Sequence, residues 1–226
     1  MSLVVSGYHD RVRDDIFDLM PEAAGNLLDV GGGIGATAVA LKRAGRVGRV
    51  TVLDIIDDGL LPEVDAGHTG NLEDPDFLRG LGAEGELFDV ILCLDVLEHL
   101  VDPWATVRAL HELLSPEGVI IASIPNLRFW PVSWGLFALG RFDLTDRGVL
   151  DRTHLRWFVR DTAAQLMTSS GLRLDRMVGR IPARRWKLAN ALTGGMARGL
   201  FEMQYLIRVS RPSPEASAPA GSASGD

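Results

Sequence analysis

NLLDVGGGIG, residues 26–35, is a short apolar run that stops on alternating glycines. An apolar run of this length, bounded by glycine, suits a strand buried on both faces. Residues 36–44 have helical spacing, with Gly45 as a stop. Strand, glycine turn and helix in that order make the first unit of a parallel sheet covered on both sides. Alternating glycines tolerate positive φ and let a ligand approach the backbone closely. Taken alone, the loop points to a nucleotide-like ligand. It also fits a dinucleotide fingerprint, read as Gly33-x-Gly35-x-x-Ala38, and a purely structural turn.

Outward from this unit the alternation continues. Residues 49–53 read as a second strand ending at Asp54, 19 positions after Gly35. A carboxylate there can accept hydrogen bonds from two ribose hydroxyls, or can cap a turn. Residues 55–82 are turn-rich, with a short strand before Asn71 and a short helix around Phe77. Residues 87–94 are a strongly apolar strand. Asp102-Pro103 supplies an N-cap and a first-turn proline for a helix through Trp104, Val107, Leu110 and Leu114. Residues 115–118 turn the chain into a strand at 119–124. Residues 126–158 are a long aromatic-rich insertion. A helix at 162–170, a strand at 172–181, a helix at 185–198 and a strand at 201–209 follow.

The pattern predicts an α/β fold: a Rossmann-like sheet, mostly parallel with an antiparallel C-terminal edge strand, and helices on both faces. Ligands of such sheets sit at the carboxyl ends of the strands, so the loops after Val30, Leu53, Gly70, Leu94 and Ile124 converge on one site. Residues 1–210 are expected to form one domain, with 126–158 as a cap over the acceptor and 185–198 as an extra helix. The Pro/Ala/Ser/Gly-rich stretch 211–226 reads as disordered.

Of the 226 residues, 46% are hydrophobic and 23% charged, which suits a packed chain. The net charge of −7 argues against a general nucleic-acid binder. It also hides an asymmetry. Residues 1–127 hold 8 basic and 22 acidic side chains, whereas residues 128–211 hold 15 and 6. Cys93 is the single cysteine, so an intrachain disulfide and a multi-cysteine metal site are excluded, and a reducing compartment fits. The first residues lack a secretory pattern, and no apolar stretch approaches the ~20 residues of a membrane span. The expected location is cytoplasmic. The oligomeric state is left open.

Asp29-x-Gly31-x-Gly33-x-Gly35, then Asp54, Gly70-Asn71-Leu72, FDVILCLDVLEHL at 88–100 and Leu114-Ser115-Pro116-Glu117-Gly118 form an ordered set. Over about residues 8–181 that set resembles a class I S-adenosylmethionine (SAM)-dependent methyltransferase. GVLDRTHLRWF, residues 148–158, resembles a bacterial subgroup associated with polysaccharide biosynthesis. The resemblance implies that Gly31, Gly33 and Gly35 wrap the methionine part of SAM and that Asp29 lies near its ammonium. Asp54, with Ile55 beside it, would take the ribose. Asn71 stands where the family usually has an aspartate that meets the adenine amino group, and the Leu72 backbone would complete adenine recognition. Leu94, Asp95 and Val96 would line the sulfonium. Tyr8 would cover the methionine moiety, or simply pack a helix. The implied product is S-adenosyl-L-homocysteine.

Methyl transfer from a sulfonium is an in-line displacement that depends on alignment, and an oxygen acceptor must also lose a proton. His99 and His154 are the candidate bases, because an imidazole accepts a proton near neutral pH with little tuning. The alternative for His99 is a packing role. For His154 it is a lock in which Asp151, Arg152 and His154 close the insertion over the sheet. Asp95-x-x-Glu98-His99 is similar to the Glu-x-x-Glu-His of some quinone-biosynthesis O-methyltransferases, with Asp for the first Glu. No second acidic cluster accompanies it, and no metal is assigned. Trp130, Trp134 and Phe137 fall at helical spacing in the insertion. They suit a lid over the acceptor, a peripheral membrane contact through 126–142, or a helix packed on the sheet. Arg152 and Arg156 beside aromatics suit a phosphorylated, small or glycan-like acceptor. The expected reaction is O-methylation. A nicotinamide-dependent oxidoreductase and a non-catalytic SAM-binding scaffold are the alternatives.

Overall fold

A computed structural model describes residues 12–212 except 57, 58 and 84. Tyr8 and the stretch 213–226 lie outside the described residues. The strands are β1 (Ala24–Val30), β2 (Val47–Asp54), β3 (Ala66–Thr69), β4 (Phe88–Leu94), β5 (Leu114–Pro125), β6 (Arg173–Arg180) and β7 (Gln204–Ser210). They form one sheet in the order β3-β2-β1-β4-β5-β7-β6. The first five are mutually parallel, and β7 runs antiparallel to both β5 and β6. The C-terminal strand is thus the antiparallel one, and β6 takes the rim beside it. The helices are α1 (Ala36–Arg43), α2 (Pro75–Ala83), α3 (Pro103–Glu112), α4 (Trp130–Leu139), α5 (Arg160–Thr168), α6 (Arg184–Leu192) and α7 (Arg198–Phe201). Short 3₁₀ turns lie at Asp14–Leu19 and Leu97–His99.

The pleat sends alternate residues of the central strands to two separate cores. Leu28, Val30, Ile91, Cys93, Ile120 and Ala122 join one cluster with Leu110 of α3 and Leu166 of α5. Leu27, Val90, Leu92, Val119 and Ile121 join the other with Leu41 of α1 and Ile16. This explains why the strands read as unbroken apolar runs rather than as alternating ones. Asp102 caps α3 as its sequence predicts, accepting from Ala105 N at 3.0 Å with Pro103 in the first turn.

Two expectations need correction. The turn expected at 115–118 does not interrupt the sheet. β5 begins at Leu114 opposite Phe88, and the pairing resumes at Val119 opposite Val90, so five steps of β5 face two of β4. The sheet absorbs the Pro-Glu-Gly sequence as a bulge. Gly118 is required there, because a Cβ would stand 2.8 Å from the Phe88 carbonyl oxygen. The single helix expected at 185–198 is two helices. Gly194 and Gly195, at φ +60° and +81°, leave the right-handed region and end the first one.

Candidate active site

The glycine turn sits on an acidic floor. Gly31, Gly33 and Gly35 take φ of +68°, +54° and +84°, a region in which a side chain would be strained. Gly31 N donates to Leu53 O at 2.7 Å, which ties the turn to the end of β2. A Cβ on Gly31 would lie 2.5 Å from Val96 Cγ2, and one on Gly32 2.7 Å from Asp29 Cγ. The backbone therefore lies directly on these two side chains. Asp29 is buried on the α1 side of the sheet. Burial pushes its carboxyl up to about 7, Asp54 adds to the effect, and a backbone hydrogen bond from Ala38 opposes it. Asp54 Oδ2 accepts from Gly33 N at 2.8 Å and Oδ1 from Ile56 N at 3.1 Å. A carboxylate oxygen has two lone pairs, so each retains one for a ligand hydroxyl.

At the end of β4, Asp95 is the one non-glycine with positive φ among the described residues, at +60°. Three donors hold its side chain. Arg13 Nη1 reaches Oδ2 at 2.6 Å, Ser123 Oγ reaches Oδ1 at 3.0 Å, and Gln204 Nε2 also bonds Oδ1. Arg13 binds Asp15 as well, at 3.0 Å. Burial opposes the Arg13 charge, but Asp95 and Asp15 outweigh it and hold the guanidinium above its ordinary value. Backbone strain at a fixed carboxylate, on the carboxyl edge of a parallel sheet, marks a place where orientation is imposed.

Just beyond, Glu98, His99 and His154 come together, with ligand atoms all within 4.8 Å of one another. The imidazoles meet edge-on, 4.7 Å between centroids. His99 Nδ1 faces Thr153 O at 3.2 Å and His154 Nδ1 faces Val149 O at 3.1 Å. A carbonyl only accepts, so each Nδ1 carries a hydrogen and each Nε2 is turned away from that bond. Burial pulls the His154 value down, and His99 adds to this. Its ring is therefore neutral and basic at pH 7. Glu98 is fully buried, and neither carboxylate oxygen has a hydrogen-bond partner. His154 Nε2 is 4.0 Å away, beyond hydrogen-bonding range. Burial, then Asp95, pushes the Glu98 carboxyl well up. The tautomers and the donor set serve either a proton acceptor or a divalent cation.

The insertion reaches the cluster through its backbone. Leu155 N and Arg156 N both donate to Glu98 O, at 2.9 and 3.0 Å, and His154 N donates to Asp151 O at 3.1 Å. Asp151 accepts from Thr153 N and Oγ1. The alternative weighed for His154, a side-chain lock with Asp151 and Arg152, is accordingly replaced by main-chain bonds.

The profile described as a methyltransferase domain matches residues 6–176. The chain belongs to the methyltransferase-domain family. Similar proteins include the ubiquinone biosynthesis O-methyltransferases of Ruegeria pomeroyi and Psychrobacter arcticus. The first is 33% identical over 60% of this chain and 53% of its own length. The second is 34% identical over 65% and 57%. The chain spans little more than half the length of these relatives. Among solved structures, a SAM-dependent methyltransferase from Mesorhizobium loti aligns with a TM-score of 0.57 at 16% identity, covering 87% of this chain and 96% of that one. The N-methyltransferase NodS from Bradyrhizobium japonicum, solved with S-adenosyl-L-homocysteine, gives 0.53 at 17% identity, covering 84% and 79%. At such identities the likeness concerns the fold.

Within this methyltransferase-domain chain the remaining expected residues are scattered. Asn71 Oδ1 accepts from Glu73 N at 2.9 Å and so shapes its own turn, while Leu72 packs on the core. Ile55 is exposed, and Leu94 is partly buried against the α1-side core. Trp130 and Trp134 pack on each other at 5.4 Å along α4, none of whose residues is buried. Arg152 pairs with Asp146 on the surface at 2.6 Å, and Arg156 Nε donates to Val101 O at 3.1 Å. Sequence reasoning missed Arg13, Ser123 and Gln204. They come from the N-terminal stretch, β5 and β7, with no shared motif. Only the demand of Asp95 for partners could have pointed to them. Among the described residues no helix is long and apolar enough to cross a membrane.

Proposed function

We propose that the chain is a SAM-dependent methyltransferase, residues 1–210 acting as one unit, that methylates an oxygen of a small acceptor. The observation that carries this reading is the acidic floor: Asp29 under the glycine turn, with Asp54 and Asp95 on either side. SAM carries a sulfonium and an ammonium, and buried carboxylates stabilise such charges strongly. Asp29 answers the ammonium through the glycine turn. Asp54 keeps a lone pair on each oxygen for the ribose. Asn71 supports the adenine end through its turn, and the Leu72 backbone faces the base.

In the reaction the acceptor oxygen attacks the methyl carbon, the C–S bond breaks, and S-adenosylhomocysteine leaves. His154, neutral through burial, accepts the hydroxyl proton at Nε2. His99, edge-on to it, is the next group in line. Alignment and exclusion of water supply the rest of the rate. The relatives named for ubiquinone O-methylation support oxygen as the methylated atom. Trp130 and Trp134 lie on an unburied helix suited to an acceptor lid or to contact with a lipid surface, with Phe137 84% exposed beside them. A glycan-like acceptor draws its support from the basic half of the sequence, Arg152 and Arg156 included.

Thermal-shift titration with SAM, S-adenosylhomocysteine and NAD tests the reading. Both sulfur ligands should raise Tm and NAD should leave it unmoved. A shift with NAD alone would replace this reading with the dehydrogenase one.

A further inference from the structure

The Asp54 end of the sheet accounts for the donor. The opposite rim carries something the acidic floor does not. Where β6 ends, residues 179–182 line an open groove of about 570 Å³ together with Lys187 and Asn190 of α6 and Arg198 of α7. This volume lies in the range of small-molecule sites. Trp186 anchors α6 by stacking on Phe201 at 5.8 Å and meeting Phe129 edge-on at 5.9 Å, so the wall is held against the sheet.

The charge of the cavity is positive, and the excess can be followed pair by pair. Arg180 binds Asp15 at 3.2 Å, which Arg13 shares with Asp95. Arg198 binds Glu202 at 2.6 Å, which Arg160 shares at 3.6 Å. With Lys187, five cations are set against three carboxylates in this network, an excess of two. Glu202 is itself buried and packs so closely over Gly179 that a Cβ there would collide with its carboxyl group. In the same cavity the buried Asn190 Oδ1 has no hydrogen-bond partner. Rotation of the amide places a donor at that position.

The position of the cavity says which ligand it serves. Arg180 stands opposite Gln204 in the β6–β7 register, and Gln204 stands opposite Pro125 at the carboxyl end of β5. Gln204 also bonds Asp95. Asp95, Arg13, Asp15 and Arg180 therefore form a continuous chain of ion pairs from the end of β4 to the cavity. Five strand positions separate β2, which carries Asp54, from β6, so the cavity is not part of the donor site.

We infer that this cavity holds the phosphoryl group of a soluble acceptor, with Arg180, Lys187 and Arg198 as its cationic ligands and Asn190 as a polar contact. A phosphate monoester carries about two negative charges at pH 7, and three cations line the groove. Guanidinium forks suit its oxygens. The inference deepens the methyltransferase reading and rests on it for the word acceptor. It also shifts anion recognition from Arg152 and Arg156, neither of which lines the groove, to residues beyond the insertion.

Calorimetric titration with inorganic pyrophosphate, on the full chain saturated with S-adenosylhomocysteine, tests it. The expected result is one saturable site, weakened at least tenfold in Lys187→Glu, with S-adenosylhomocysteine affinity unchanged within twofold. Lys187 is exposed, so the variant keeps the fold. Absence of saturable binding, displacement of pyrophosphate by S-adenosylhomocysteine, or equal affinity in Lys187→Glu would overturn the inference. So would binding to phosphatidylglycerol vesicles that pyrophosphate does not displace. Failure of S-adenosylhomocysteine itself to bind would instead strike at the methyltransferase reading, and pyrophosphate added to the unliganded chain would still test the cavity.

Discussion

Asp29 gives the sharpest test of the donor site, because its proton and the ligand ammonium compete for one carboxylate. In the free protein burial holds the Asp29 value at about 7. A bound ammonium favours the ionised form and draws that value down, so binding below pH 7 releases a proton. Affinity for S-adenosylhomocysteine should therefore rise with pH and level off above about 7. With half of Asp29 ionised at pH 7 and roughly one tenth at pH 6, the dissociation constant should be about twofold and about tenfold above its plateau, the latter worth ~1.4 kcal/mol. Calorimetry at pH 6 in two buffers of different ionisation enthalpy should report release of about 0.9 proton per ligand. Asp29→Asn should abolish both the slope and the release. It should also weaken binding at pH 7.5 by roughly 10- to 100-fold, the loss of a charge-assisted hydrogen bond. Glu98 and His154 are the other groups near the site whose values are displaced, and the variant separates them from Asp29. A flat profile in the native chain, or an equal slope in Asp29→Asn, would refute the pairing of Asp29 with the ammonium.

Three further outcomes follow from the geometry. Gly31→Ala combines φ +68° with a Cβ 2.5 Å from Val96 Cγ2, and should lower stability by roughly 1–3 kcal/mol in urea denaturation, with Val96→Ala recovering part of the loss. For Glu98 the folded value is raised. Its contribution is therefore intact below the unfolded carboxylate value and is lost as pH rises towards the folded one. Glu98→Gln cannot titrate, so its Tm relative to the native chain should climb between pH 5 and pH 8 in scanning calorimetry. A fall at pH 8, matched by chelator treatment of the native chain, would show instead that Glu98 is ionised around a cation. His154→Ala should reduce turnover by about 10²–10⁴-fold with S-adenosylhomocysteine affinity unchanged; unaltered turnover would return His154 to a packing role.

Much of the scaffold was legible because its signals are local. The glycines after Val30, the Asp102-Pro103 cap and the apolar runs of β1, β4 and β5 each state their structure within ten residues. Where two local signals conflicted, pairing decided. The Pro-Glu-Gly sequence at 116–118 reads as a turn, yet neighbouring strands pull it into a bulge. Residues 185–198 read as one helix because apolar spacing persists through them, but two glycines at positive φ break it.

The sequence by itself determined the sheet, the glycine turn and the carboxylates at the ends of β1, β2 and β4. Strand period, glycine freedom and carboxylate position are properties of short segments. The tertiary structure alone decided what surrounds those carboxylates. Arg13, Ser123 and Gln204 meet at Asp95, His154 reaches Glu98 and His99, and Arg180, Lys187 and Arg198 line one groove. These residues are distant in sequence, and no local propensity encodes their meeting. They converge because the parallel strands deliver their carboxyl ends to one edge, and because β7, running antiparallel between β5 and β6, starts at that edge and so brings Gln204 there.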